Sequence, residues 1–284
     1  MSMMISRFAP SPTGRLHPGH AFSAVRAHDL ARAAGGRFLL RIEDIDPGRS
    51  REAFVSGIEE DLRWLGLAWD GPVLRQSERL DLYAGALERL KAAGLVYPCF
   101  CTRAEIAGSV AAPHGATPVY PGTCRGRPVD PAELQARPHG WRLDMARALA
   151  ALSPGERGLF WHDATAGRVM ATPAIHGDVV LARKDAPTSY HLAVTIDDAA
   201  QGVTDVVRGM DLFEATHVHR LLQALLELPT PAYHHHPLLT GPDGRRLAKR
   251  DGAKSLAELR AEGADPQALL AMLRRKDDEG RGKA

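Results

Sequence analysis

Two short runs near opposite ends of the chain carry residue types suited to polyphosphate chemistry. His17-Pro18-Gly19-His20 stands between a Pro/Gly-rich loop and a run of good helix formers. A helix start presents N–H groups and the positive end of the peptide dipole, both of which favour phosphate. Gly19 has no side chain, so a purine or ribose could approach the backbone closely. The imidazoles of His17 and His20 are able to donate hydrogen bonds to phosphate oxygens as charge develops during transfer. Taken alone, these four residues are equally compatible with a helix start that carries two surface histidines. Arg246-Leu247-Ala248-Lys249-Arg250 follows a tight turn at Gly241-Pro242-Asp243-Gly244 and, taken alone, reads as a basic solvated turn. His234-His235-His236 invites a metal reading. Consecutive residues of an extended segment point to opposite faces, however, so three cannot converge on one ion, and ordinary strand and surface positions are expected.

The elements that must position these residues begin with a short apolar strand at Met4 to Phe8, a loop at 9–14, and a helix from about Gly19 to Ala34 stopped by Gly35-Gly36. Arg37 to Ile42 reads as a second strand ending at the acidic cluster Glu43-Asp44-Ile45-Asp46. Strand–loop–helix–strand is the start of an α/β fold with a parallel sheet and right-handed crossovers. Helical patterns follow at about 50–66 and 78–93. Residues 98–140 hold all three cysteines, many Pro and Gly, and little periodicity, which marks an insertion. Strand-like runs return at 178–182 and at Tyr190 to Val194, with a further one at Val203 to Val207. Residues 214–228 read as a helix with Leu221, Leu222, Leu225 and Leu226 on one side. The last thirty residues look helical and then solvated, with Arg274 to Glu279 as a frayed tail.

Composition narrows the class. Lys and Arg number 36 against 34 Asp and Glu, so the net charge of +2 neither demands nor excludes nucleic acid. No stretch approaches the roughly 20 apolar residues that span a bilayer, and no signal-peptide pattern opens the chain. Three cysteines, two of them in Cys99-Phe100-Cys101, make a poor disulfide framework, so a reducing cytosol and a cytoplasmic location are expected. No membrane association and no obligate protein partner are indicated.

The contiguous run Arg7-Phe8-Ala9-Pro10-Ser11-Pro12-Thr13-Gly14-Arg15-Leu16-His17-Pro18-Gly19-His20 closely resembles the N-terminal signature of glutamyl- and glutaminyl-tRNA synthetases. The resemblance implies a class I synthetase with a Rossmann-like parallel sheet, in which His17, Gly19 and His20 bind ATP. It makes Arg7 the partner of the substrate side-chain carboxylate, Ser11 a further holder of the amino acid, and Glu43 the acceptor of its ammonium. Pro237-Leu238-Leu239-x-Gly-x-Asp-Gly before the basic run is similar to the glutamyl branch. Lys249 then takes the place of the lysine that steadies the triphosphate, and Arg246 replaces the earlier lysine with its charge preserved. Ala248 and Arg250 depart from the usual serines. Tyr190 and Arg208, in Tyr190-His191-Leu192-Ala193 and Val207-Arg208-Gly209-Met210-Asp211-Leu212, resemble the remaining glutamate contacts. The competing reading pairs Arg208 with Asp205 or Asp211 as a structural ion pair.

Cys99, Cys101, Tyr120 and Cys124 resemble the zinc site in the acceptor-stem insertion of these enzymes. Zinc takes four ligands in a tetrahedron and thiolates are its commonest structural ones. Three cysteines supply three, and the fourth is Tyr120 by resemblance or His114 by ordinary ligand chemistry. The resemblance divides the chain into catalytic halves at 1–97 and 178–254, an inserted zinc subdomain at 98–177 and a helical tail at 255–284. Too few residues follow Asp251 to build an anticodon-binding domain. Such a short core looks like the glutamyl-Q tRNA(Asp) synthetase family, whose members activate L-glutamate with ATP and Mg2+. They transfer it to queuosine at the wobble position of tRNA(Asp). The alternatives are a shortened glutamyl-tRNA synthetase charging a tRNA 3′ end, and an inactive paralogue that binds RNA.

Overall fold

The computed structural model describes residues 3–102, 104–106, 119–153, 155, 158–239 and 254–281. Strand β1 (Ile5–Phe8), helix α1 (Pro18–Ala33) and strand β2 (Arg37–Ile42) form the opening unit, with β1 and β2 parallel and Phe8 opposite Leu40. Gly36 stands where the chain turns into β2. A Cβ there would overlap the Met4 carbonyl oxygen, so no larger residue fits. Helix α2 (Glu52–Trp64) crosses to β3 (Leu74–Arg75), which adds parallel to β2. β2 is buried along its length after Arg37, as a parallel strand covered on both faces must be.

Helix α3 (Leu80–Ala92) leads to β4 (Val96–Cys99), followed by α4 (Pro131–Ala136), β5 (Gly140–Leu143) and α5 (Met145–Ala150). A hairpin of β6 (Phe160–Asp163) and β7 (Gly167–Met170) precedes β8 (Val180–Ala182), which pairs with β5 in an antiparallel sheet ordered β4-β5-β8. Helix α6 (Tyr190–Ala200), β9 (Asp205–Gly209), α7 (Ala215–Leu225) and β10 (Ala232–His236) follow. β10 is parallel to β9 on one side and to β6 on the other. Sheet pairing therefore crosses the boundary expected at residue 177, since Asp163 of β6 lies opposite Tyr233 of β10. Helices α8 (Leu256–Ala261) and α9 (Pro266–Arg281) end the described chain.

The two parallel groups meet where the Thr204 N–H donates to the Ile5 carbonyl at 3.0 Å and the Ile5 N–H donates to Thr204 Oγ1 at 2.8 Å. β1 and β9 thus lie side by side at the centre, with β2 and β3 beyond one and β10 and β6 beyond the other. This is the place where strand order reverses, and loops leaving the two carboxyl ends diverge to open a crevice. The α/β Rossmann-like reading of the opening unit holds. Tyr190 to Val194, expected as a strand, is instead the start of α6. Its apolar run arises because Leu192, Ala193 and Val194 are all buried between layers, and a short continuous run has no period to tell strand from helix.

One core lies between α1, α2, α9 and the first strands, where Phe22, Val25, Phe38, Ile58, Leu62 and Leu273 interlock. A second joins α3, α5, α6 and α7 to the antiparallel sheet, with Val218, Leu221 and Leu222 of α7 forming its apolar stripe. The tail expected to fray continues as α9 and docks on α1. Arg274 Nε is 2.7 Å from Asp29 and Arg26 is 2.6 Å from Asp277, so charged residues that look solvated in sequence reach back across the helix pair. Among the described residues no helix is long and apolar enough to cross a membrane.

Candidate active site

The crevice at the carboxyl ends of β1 and β9 is a cavity of about 460 Å³. It brings together Arg7, Ser11, His17, Gly19, His20, Glu43, Tyr190 and Arg208, residues more than 200 positions apart at the extremes. Arg246 and Lys249 lie outside the described residues.

His17 caps α1. Its Nδ1 accepts from the Gly19 N–H at 3.1 Å, while the His17 N–H donates to His20 Nδ1 at 3.3 Å. Both Nδ1 lone pairs thus face backbone donors, which places the ring proton on Nε2 in each neutral imidazole. The rings stack with centroids 3.7 Å apart. The helix start differs from the sequence expectation in one respect: the Gly19 N–H offered to phosphate is taken by His17. The histidine side chains and not the first amides form the donor edge here.

Arg7 is buried and makes a two-pronged contact to Asp198, Nε to Oδ1 at 2.9 Å and Nη2 to Oδ2 at 3.3 Å. Asp198 also accepts from Arg41 Nη1 at 2.8 Å, and Arg41 Nη2 reaches Glu43 at 3.3 Å. Burial alone would raise the Asp198 carboxyl, but the guanidiniums of Arg7 and Arg41 hold it below the usual range. For Glu43 burial dominates, and its carboxyl is pushed up despite Arg41 and Arg7. A neighbouring ammonium would restore its ionised form. Asp197, next along α6, accepts from Gln76, Arg79 and Tyr83 at 2.7 to 2.8 Å. Sequence reasoning missed Asp197, Asp198 and Arg41. The signal was two adjacent acids inside an otherwise apolar run, since such acids must find buried partners.

Arg208 is set differently. It is 5% exposed, yet among the described residues no carboxylate pairs with it. Its Nε donates to His235 Nε2 at 3.0 Å, Nη1 to Tyr190 Oη and His219 Nδ1 at 3.3 Å each, and Nη2 to Thr216 Oγ1 at 2.6 Å. All four partners are uncharged, because burial pushes the His235 and His219 imidazoles down and the Tyr190 phenol up. The ion pair to Asp205 or Asp211 is absent: Asp205 instead takes His234 at 2.8 Å. A buried guanidinium held only by neutral groups leaves its charge for an anion entering the cavity. The histidine triplet lies in β10 as expected, with His234, His235 and His236 diverging to Asp205, Asp163 and Ser23. His235 and His236 are 2% and 1% exposed, which corrects the surface expectation. The close packing of α1 and α7 on the strand covers them.

Away from the cavity, Cys99, Cys101 and Cys124 place their sulfurs within 4.8 Å of one another. Cys101 and Cys124 Sγ are 3.6 Å apart, and Tyr120 Oη is 3.4 Å from both Cys99 and Cys101. With zinc–sulfur bonds of about 2.3 Å, a tetrahedral edge is about 3.8 Å, so the donor set fits a zinc ion. Arg142 Nε donates to Cys99 Sγ at 3.3 Å and its guanidinium lies 3.8 Å over the Tyr120 ring, a setting that favours anionic ligands. His114 lies outside the described residues.

The fold and cavity define the catalytic domain of a class I tRNA synthetase. Residues 3–279 match the family of tRNA synthetases class I (E and Q), catalytic domain. The glutamyl-Q tRNA(Asp) synthetase of Rhodobacter capsulatus is 54% identical over 281 residues, covering 95% of this chain and 99% of its own. That of Symbiobacterium thermophilum is 47% identical over 283 residues, covering 95% and 85%. A crystal structure of a glutamate tRNA ligase from Elizabethkingia meningosepticum, in complex with its amino acid, superposes with a TM-score of 0.73 at 30% identity over 88% of this chain. The chain spans about half, 53%, of that longer ligase. The chain belongs to the glutamyl-Q tRNA(Asp) synthetase family.

Proposed function

We propose that this chain activates L-glutamate with ATP to glutamyl-adenylate without tRNA, and transfers the glutamate to queuosine at the wobble position of tRNA(Asp). The observation that carries the first step is Arg208, buried with only neutral partners among the described residues and opening on the cavity that also holds His17 and His20. In this reading Arg7, Ser11, Glu43, Tyr190 and Arg208 hold glutamate. Two guanidiniums suit a substrate with two carboxylates, and Glu43 receives the ammonium that brings its carboxyl back to the ionised form.

The glutamate α-carboxylate oxygen attacks the α-phosphorus of ATP, the P–O bond to the β-phosphate breaks, and pyrophosphate leaves. His17 and His20 donate from Nε2 to phosphate oxygens, with Arg246 and Lys249 steadying the departing charge. Magnesium carried by ATP would offset charge on the phosphates. Catalysis is positioning and charge stabilisation, with no protein nucleophile. A hydroxyl of the queuosine cyclopentene ring then attacks the mixed anhydride, forming an ester and releasing AMP. Cys99, Cys101, Tyr120 and Cys124 would hold zinc, and the ion would tie the end of β4 to the segment around Tyr120 and Cys124.

Glutamate-dependent ATP–pyrophosphate exchange, followed by labelled glutamate offered to tRNA(Asp) with and without queuosine, tests both steps. Exchange without tRNA and transfer only to queuosine-containing tRNA are expected. Transfer that persists on tRNA lacking queuosine returns the chain to 3′-end charging, and absent exchange removes activation altogether.

A further inference from the structure

Arginine donates from every nitrogen and accepts at none, so the ring atoms facing Arg208 must offer lone pairs. His235 presents Nε2 to Arg208 at 3.0 Å because its Nδ1 faces Asp163 Oδ2 at 2.7 Å, and the carboxylate fixes the proton on that side. Asp163 itself is held by the N–H groups of Thr165 and Ala166 at 2.9 Å each, and by that of His235 at 3.2 Å. His219 presents Nδ1 to Arg208, so its proton sits on Nε2, the opposite tautomer, and donates to His191 Nδ1 at 3.2 Å. The nearest carboxylate in this chain of bonds, Asp163, stands off from the guanidinium by the full width of the His235 ring. Arg7, by contrast, is met directly by Asp198, a carboxylate it shares with Arg41 and that therefore offsets only part of the two positive charges.

We infer that His219 and His235 are positioning residues for Arg208, gripping its guanidinium through neutral lone pairs so that its charge remains for a substrate carboxylate. The inference rests on the glutamate-activating reading above. It adds the cause of that selectivity: the orienting groups around Arg208 are ones that do not neutralise it. A carboxylate in place of either ring would orient the guanidinium equally well and cancel the charge the substrate needs.

The test is a series at one position, His219→Gln, His219→Leu and His219→Glu, read by ATP–pyrophosphate exchange at varied glutamate and varied ATP. Gln keeps a neutral acceptor and should stay near wild type. Leu removes the acceptor and should raise the KM for glutamate. Glu supplies a counter-ion and should raise that KM by about 10- to 100-fold, the worth of one charge-assisted hydrogen bond, with the KM for ATP within about twofold. Should the Glu variant fail to fold, His219→Asp carries the charge comparison, and the Gln and Leu pair tests the positioning role. A working wild type with equal KM for glutamate across the folded variants overturns the inference. So does a loss confined to kcat, or one shared equally by ATP. Absence of glutamate-dependent exchange in the wild type overturns the activation reading, and this inference with it.

Discussion

Arg7 and Asp198 meet edge to edge at the cavity wall, Nε 2.9 Å from Oδ1 and Nη2 3.3 Å from Oδ2, although 191 positions separate them in sequence. Asp198 also takes Arg41, so one carboxylate orders two buried guanidiniums and joins β1, β2 and α6. Replacing it with the isosteric amide, Asp198→Asn, leaves both cations undercompensated. A loss of about 3 to 5 kcal/mol in stability is expected, measured by urea unfolding at neutral pH. An unchanged midpoint would show that Glu43 and Asp197 suffice as counter-ions.

The buried imidazoles set the acid limit of the fold. Burial lowers His191 and His236 from the usual 6.5 to about 4. Both rings are therefore neutral when folded and protonated when unfolded across that interval, so the unfolded chain binds more protons. Their contribution is complete above about pH 6.5 and is lost as the pH falls towards 4, on the order of 3 kcal/mol for each fully buried ring. Thermal melts from pH 7.5 to 4.5 should show Tm falling steadily below pH 6.5. His236→Asn should flatten part of that fall, since an amide does not titrate there.

How much of this was legible beforehand depended on how local the signal was. β2 is legible with its bounds because Phe38, Leu39, Leu40 and Ile42 lie in a run fenced by two glycines and an acidic cluster. Arg7, His17, Glu43 and Arg208 were named from contiguous motifs, and they do share a cavity. Asp198 was invisible because its role depends on partners 157 and 191 positions away. The helix at Tyr190 resembles a strand in sequence because the consecutive buried residues Leu192, Ala193 and Val194 show no period that separates helix from strand. Docking of α9 is hidden in the sequence because Arg274 and Asp277, which pair with α1 beside the buried Leu270 and Leu273, are charged and look solvated.

The cysteine cluster makes a chemical prediction. Metal analysis of purified protein should return about one zinc per chain, and Cys101→Ser should release most of it, because three ligands hold a structural ion poorly. Tyr120→Phe removes the Oη that lies 3.4 Å from two of the sulfurs and should weaken retention against a chelator. Retention equal to wild type in that variant would assign the fourth position to another donor, with His114 the next to test.

Lys249 is assigned its role from the motif, and kinetics can weigh it. If its ammonium steadies the triphosphate mainly in the transition state, Lys249→Ala should lower the kcat of exchange by about 100- to 1,000-fold. The KM for glutamate should barely change, because the glutamate contacts are drawn from Arg7, Glu43, Tyr190 and Arg208. A variant that exchanges at the wild-type rate would remove the lysine from the reaction.

Asp61 carries the opposite sign from the histidines. It is 2% exposed in α2, its Oδ1 has no hydrogen-bond donor among the described residues, and Arg260 stands 3.7 Å away. Burial raises its carboxyl to about 6, above the usual 3.8, so the folded state holds this proton more tightly than the unfolded chain. The protonated form is favoured in the fold, and stability from this residue is full below pH 4 and lost as the pH rises through about 6. Asp61→Asn cannot ionise. It should therefore melt higher than wild type at pH 8, by about 1 to 3 kcal/mol, and match wild type near pH 4. Equal destabilisation at both pH values would mean that the Arg260 contact outweighs the cost of burying the charge.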